Sequence, residues 1–179
     1  DDGCVYSNGL RVNETEDWKQ YTGSFIDGRF LIDFYTPEEY FTFIGKVYNI
    51  PTETINQRLE NYSSLMHDEI LGTKKYIRDF SEGNRQKIGI IGAMIINPEV
   101  LILDEPFNYL DPSSQINIAK MIQGACHEFG MTVILSSHNL NFVSDISTRI
   151  LLLEKGLVIK DLKNEEGSAM KELEEYFGA

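Results

Sequence analysis

Positive charge is scarce in this sequence: Lys and Arg number 16 against 28 Asp and Glu, a net charge of −12 over 179 residues. A nucleic-acid binder needs clustered cations to displace counterions along the phosphates, so the balance counts against a DNA or RNA partner. Cysteine is scarce too. Cys4 and Cys126 make no disulfide framework and have no metal-ligand spacing, and they read as two reduced thiols. The longest apolar run, Ile88–Ile96, has nine residues, two of them glycine, whereas a membrane helix needs roughly 20. No basic-then-apolar leader opens the chain. Internal repeats, low-complexity stretches and heptad runs are also missing, which excludes a solenoid and a long coiled-coil arm.

What remains is an ordinary soluble composition, 42% hydrophobic and 25% charged, at a length that suits one domain with a proper core. The opening "DDGCVYSNGLRV" reads as a turn, a short strand, an Asn8-Gly9 hairpin turn and a second short strand. The chain thus starts in mid-sheet, which predicts that an earlier part precedes it. A strand is expected over Tyr21–Ile26. From Thr36 the pattern turns helical: an N-cap, Pro37 at the first helical position, Glu38 and Glu39 in the first turn, then an apolar stripe of Tyr40, Phe41, Ile44, Val47 and Tyr48. A second helix is expected from Thr52 to His67, and a shorter helix or irregular connection over 68–80.

Ser81 caps a helix expected to run through Ile96 as an amphipathic element, with Ile88, Ile91 and Ile95 facing the core. After it come a strand at 100–103, a helix from about Ser113 to Phe129 ended by Gly130, and a strand at 131–137. A short helix follows Asn139, then strand 149–154, a turn at Lys155-Gly156, the segment "LVIKD" and an acidic helix over 165–177. Apolar strands alternating with helices predict an α/β fold: a mostly parallel sheet with helices on both faces, an inserted α-helical subdomain and a short N-terminal β hairpin. The expected domains are a β segment over 1–35, a helical subdomain over 36–96 and a second part of the core over 97–179.

Ligands of an open parallel sheet gather beyond the carboxyl ends of its strands. Asp104 and Glu105 follow one apolar strand there, and His138 follows the next strand. "LILDEP", "YLD" at 109–111 and "SSHN" at 136–139, with "FSEGNRQK" at 80–87 upstream, together resemble the nucleotide-binding domain of ATP-binding cassette (ABC) transporters. The likeness covers residues 1 to about 160, with four motifs in consistent order.

The resemblance implies a P-loop NTPase-like fold that binds and hydrolyses ATP with Mg²⁺. It implies that Asp104 holds the metal, Glu105 polarises the attacking water and His138 senses the γ-phosphate. Ser81, Gly83 and Asn84 match the signature motif, a helix N-terminus aimed at a phosphate. Glu82 and Asn84 depart from its usual glycine and glutamine, and a working site requires Glu82 to point away. Asp111 matches the D-loop aspartate. "GSFID" occupies the place of the Q-loop, with Asp27 where a glutamine normally contacts Mg²⁺.

The family's phosphate loop, G-x-x-x-x-G-K-[ST], is nowhere in these residues. The expectation is therefore that this stretch is a fragment starting just after that loop and inactive alone, while the whole protein is an ATPase. The resemblance further implies a homodimer or paired ATPase subunit, transmembrane partner subunits docking near "FLIDFYTPEEYFTF", and a cytoplasmic place on the inner face of the membrane. The departures at Glu82, Asn84 and Asp27 lean towards export. The alternatives are a soluble ABC-type ATPase uncoupled from any transporter and a non-catalytic relative. The intact Asp104, Glu105 and His138 count against the latter.

Overall fold

The computed structural model describes residues 3–66, 68–165 and 167–178. They form two compact units, one running through Ser136 and the other beginning at Ser137.

In the first unit the Asn8-Gly9 turn does what such a pair dictates. Both residues take positive φ, 46° and 76°, and join β1 (Tyr6–Ser7) to an antiparallel β2 (Leu10–Arg11). After a 3₁₀ turn over Asp17–Tyr21, β3 (Thr22–Phe25) enters the main sheet. Four helices follow: α1 (Pro37–Val47), α2 (Thr52–Glu60), α3 (Ser63–Met66) and α4 (Glu82–Met94). Thr36 caps α1 as expected, and Glu39 completes a capping box with it. The expected second helix divides into α2 and α3, and its end at His67 lies outside the described residues. Residues 68–80 are irregular apart from a 3₁₀ turn at Ile77–Asp79.

Strand β4 (Val100–Asp104) pairs in parallel with β3 on one side and with β5 (Thr132–Ser136) on the other. Between β4 and β5 runs α5 (Pro112–Phe129), capped by Asp111 and stopped by Gly130 in the left-handed conformation. The core is mostly aliphatic: Leu101 and Leu103 from β4, Ile88, Ile91 and Ile95 from α4, Ile118 from α5, and Ile55, Leu65, Ile70 and Ile77 from the helical segment are all buried, with Phe41 of α1 among them.

Helix α4 departs from the expected amphipathic pattern. Every residue from Gln86 to Met94 is buried, because the helix is covered on more than one side. A Cβ on Gly23 of β3 would sit 2.1 Å from the Ala93 carbonyl oxygen, and one on Gly92 would sit 2.8 Å from the Tyr40 ring of α1. Glycines at these points let backbones approach, and a helix packed all round has no polar face to show. The expected domain boundaries at 35/36 and 96/97 both fall within this first unit. The two compact units divide after Ser136.

The second unit holds α6 (Leu140–Ile146), β6 (Arg149–Glu154), β7 (Leu157–Lys163) and α7 (Met170–Phe177). Lys155-Gly156, both at positive φ, fold β6 and β7 into an antiparallel hairpin, separate from the parallel sheet. A two-residue turn of this kind can only reverse the chain; a parallel partner needs a crossover. Ile150, Ala169 and Leu173 form the unit's core, with Leu140, Val143 and Leu162 packed against it. The final helix begins at Met170, later than the expected 165.

Candidate functional site

Asp104 is the last residue of β4, where the alternation of the strand passes from buried Leu103 to an exposed carboxylate. Its register partner on β5 is Ser136, and the Ser136 hydroxyl donates to Asp104 Oδ1. The same Ser136 Oγ accepts from the Glu105 main-chain N–H at 3.0 Å. The chain then turns sharply, with Glu105 at φ +45°. For a residue with a Cβ this region is uncommon, and it is held only where the surroundings over-determine it. Here the Glu105 carbonyl accepts from Asn108 N at 3.2 Å and from Gln86 Nε2 at 3.1 Å. Two adjacent acids therefore leave the sheet in fixed and different directions.

A second cluster forms where α4 begins. The Ser81 hydroxyl accepts from Asn84 N at 3.3 Å, capping the helix, and leaves the other first-turn N–H groups without an intrahelical partner. Ser81, Gly83, Asn84 and Asp111 line one cavity of about 270 Å³, together with Glu69, Lys87, Tyr109 and Leu110. The structure thus brings four of the expected site residues together.

The glycine has an additional reason to be there. A Cβ on Gly83 would lie 2.7 Å from the Tyr109 carbonyl oxygen, so the signature turn and the segment before α5 touch through their backbones. Tyr109 itself is at φ +63°. Glu82 does not line the cavity; its carboxylate lies instead near Gly28. The Asn84 amide reaches the Glu69 carboxylate at 3.5 Å, an acid that the motif itself does not reveal.

Asp111 caps α5 by accepting from Ser114 N at 3.0 Å and from the hydroxyls of Ser113 and Ser114. Those hydrogen bonds, the Ser113 hydroxyl foremost, hold its carboxyl well below the usual carboxylate range, and the charge of Lys87 acts in the same direction. Lys87 is buried, an unusual place for a lysine that follows from its position on the enclosed α4.

Asp27 stands apart from these clusters in its bonding. It caps the 3₁₀ turn Gly28–Phe30, accepting from Arg29 N at 2.7 Å and from the Arg29 guanidinium at 2.8 and 3.0 Å. The Arg29 hydrogen bonds lower its pKa. His138 lies in the second compact unit, exposed in the bend ahead of Asn139, which caps α6 by accepting from Phe142 N.

Mg²⁺ fits the chemistry of the strand end. It takes one or two carboxylates plus substrate phosphates rather than a cage of protein ligands. Asp104 and the adjoining Ser136 hydroxyl are hard oxygen donors, and no group of three or more His, Cys, Asp or Glu able to hold a metal occurs among the described residues. When bound with a nucleotide, the ion would offset charge on the phosphate oxygens.

Three residues of the site were not singled out by sequence reading. Ser136 lay inside a quoted motif, yet only the β4–β5 register shows that it reaches both acids. Gln86 and Tyr109 act through a main-chain carbonyl, which no residue pattern encodes.

The parallel sheet and the helices around it have the α/β P-loop NTPase fold. A family profile described as "AAA domain, putative AbiEii toxin, Type IV TA system" matches residues 12–144. The chain belongs to that AAA-domain family, and it is similar to ATP-binding proteins of ABC transporters.

The methionine import ATP-binding protein MetN of Campylobacter jejuni is 36% identical over 121 residues, 65% of this chain and 35% of that protein. The energy-coupling factor transporter ATP-binding protein EcfA2 of Clostridium tetani is 36% identical over 131 residues, 70% of this chain and 44% of that protein. Among solved structures, the ATP-binding subunit of an ABC transporter superposes with a TM-score of 0.80 at 21% identity, covering 99% of this chain and 71% of that one. A dimeric ATP-binding cassette in a post-hydrolysis state bound to ADP and Pi gives 0.78 at 21% identity, covering 92% and 74%. The chain spans less than half the length of these curated relatives.

Proposed function

We propose that the whole protein of which these residues are part binds and hydrolyses ATP to power transport across a membrane. The observation that carries this reading is the end of β4. Asp104 and Glu105 share one serine, and Glu105 is held in a left-handed turn by contacts from α4 and β5. Asp104 would hold Mg²⁺, which would offset charge on the phosphates of a bound nucleotide. Glu105 orients and polarises the attacking water, since phosphoryl transfer depends mainly on placement and charge stabilisation. The N-terminus of α4, through Ser81, Gly83 and Asn84, offers N–H groups to the γ-phosphate of a nucleotide held by a second copy or a paired subunit. Asp111 organises the junction between the two sites; for His138 the γ-phosphate role rests on the resemblance of its motif alone. Asp27 joins the metal shell only by exchanging Arg29 for the ion.

The test is Glu105→Gln in the full-length protein. Turnover is expected to fall at least about a hundredfold while an ATP-bound dimer accumulates on gel filtration. Wild-type turnover in that variant would remove Glu105 from its role. The 179 residues alone contain no glycine-lysine phosphate loop, and as a purified piece they are expected to show no Glu105-dependent hydrolysis.

The partners on this reading are transmembrane subunits, with the protein peripheral on the cytoplasmic face. No helix among the described residues is long and apolar enough to cross a membrane. The relatives include a methionine import protein, so the departures at Glu82, Asn84 and Asp27 do not by themselves mark export.

A second reading, a soluble ATPase uncoupled from any transporter, is favoured by the toxin–antitoxin wording of the matching family. Purification from membranes decides between them: co-purification with an integral membrane protein supports the first, and full recovery without one supports the second.

A further inference from the structure

We propose that Gln86 is a positioning residue for Glu105, tying the first turns of α4 to the backbone of the water-polarising carboxylate; this rests on the hydrolytic reading of Glu105. Gln86 is buried, at 7% exposure. Its Nε2 donates to the Glu105 carbonyl oxygen at 3.1 Å, across 19 residues of sequence. That carbonyl belongs to a residue at φ +45°, a conformation that persists only under constraint.

The constraint comes from distinct elements. Ser136 of β5 accepts from the Glu105 N–H, and Asn108 of the following turn donates to its carbonyl. The Gln86 amide brings in α4, the helix that Ser81 caps. Arg85, its neighbour, donates to the Gly28 carbonyl at 2.8 Å and pairs with Asp33 at 3.0 Å, so the same turn of α4 is also anchored to the segment after β3. Displacement of α4 therefore reaches Glu105 through one buried hydrogen bond. A carboxylate displaced by a fraction of an ångström loses its hold on the attacking water, and turnover is steeply sensitive to such placement.

A purely structural role for the amide, satisfying a buried carbonyl, would make stability, nucleotide affinity and turnover fall together. Positioning moves turnover alone. The experiment compares full-length wild type with Gln86→Met, which keeps the side-chain length and removes the donor, and with Gln86→Glu, which keeps the shape and offers no amide donor. Both are expected to lower the single-turnover rate about ten- to a hundredfold with MgATP affinity held within about twofold and the thermal midpoint little changed. The double variant Gln86→Met/Glu105→Gln is expected to be no slower than Glu105→Gln alone, since two residues acting as one unit are not additive.

Wild-type rates in both Gln86 variants overturn the proposal, and so do losses that track stability and affinity or that multiply with Glu105→Gln. If instead Glu105→Gln itself turns over normally, the hydrolytic reading fails first.

Discussion

Asp111 shows how a single side chain serves both helix and site. Three hydrogen-bond donors from Ser113 and Ser114 converge on its carboxylate, and they favour the charged form, so its folded pKa lies below the ordinary value near 3.9. A depressed carboxylate pKa contributes stability that is fully present above the unfolded pKa and is lost as pH falls through the folded one. Asp111→Asn is therefore expected to be less stable than wild type at neutral pH. The gap should close only as pH drops below about 4, as measured by thermal unfolding across a pH series. A gap that persists unchanged to strongly acid pH would show that the cap does not depend on charge. Asp27 follows the same sign through Arg29, but with an arginine rather than hydroxyls as the partner.

Among the elements, α4 carries the most consequence. One end presents Ser81 and Gly83 to the cavity, the next turn reaches Glu105 and Gly28 through Gln86 and Arg85, and the remainder is packed against β3 and α1. The β3 contact is backbone on backbone at Gly23, where an added methyl would meet the Ala93 carbonyl at 2.1 Å. Neither partner can rotate away. Gly23→Ala is expected to destabilise the fold by about 1–3 kcal/mol, the usual range for overpacking, read by urea unfolding with the slope unchanged. Gly83→Ala, facing the main-chain Tyr109 O at 2.7 Å, is half-buried in the first turn of α4, so its loss should appear in nucleotide-driven dimerisation as well as in stability.

At the level of the whole molecule, surface character sets the partners. Phe34 is 67% exposed and stacks on the Arg78 guanidinium at 4.7 Å, which also faces Tyr76 at 5.4 Å. Tyr35 instead turns its ring edge to Phe43. Within the aromatic stretch expected near a membrane subunit, Phe34 is presented outward, and Phe34→Ala is expected to depress transport-coupled ATP turnover well beyond any change in uncoupled turnover. Equal coupling in the variant and the wild type, assayed in proteoliposomes, would place the dock elsewhere. The excess of acid, 28 Asp and Glu against 16 Lys and Arg, makes the opposite prediction for nucleic acid: fluorescence anisotropy with duplex DNA at roughly 150 mM salt should show no binding in the micromolar range.

Most elements were legible in the sequence because they are locally encoded. The Thr36 cap, Pro37 at a helix start, the Gly130 stop and the Asn8-Gly9 turn each act within a few residues, and each appears where the pattern put it. Strand β4 and its terminal acids were legible for the same reason. Three things were decided only by tertiary structure. Helix α4 lost its expected amphipathic character because neighbours from two other elements enclose it. The β6–β7 hairpin pairs as a two-stranded sheet of its own, which the local turn at Lys155-Gly156 does not decide. Ser136 and Gln86 joined the site through contacts spanning 31 and 19 residues. Sequence by itself determined which residues carry charge and cap helices, since those depend on side-chain type and near neighbours. The register of β4 on β5 and the packing of α4 determined how Glu105 is held, since main-chain carbonyls and strand alignment have no signature in residue identity.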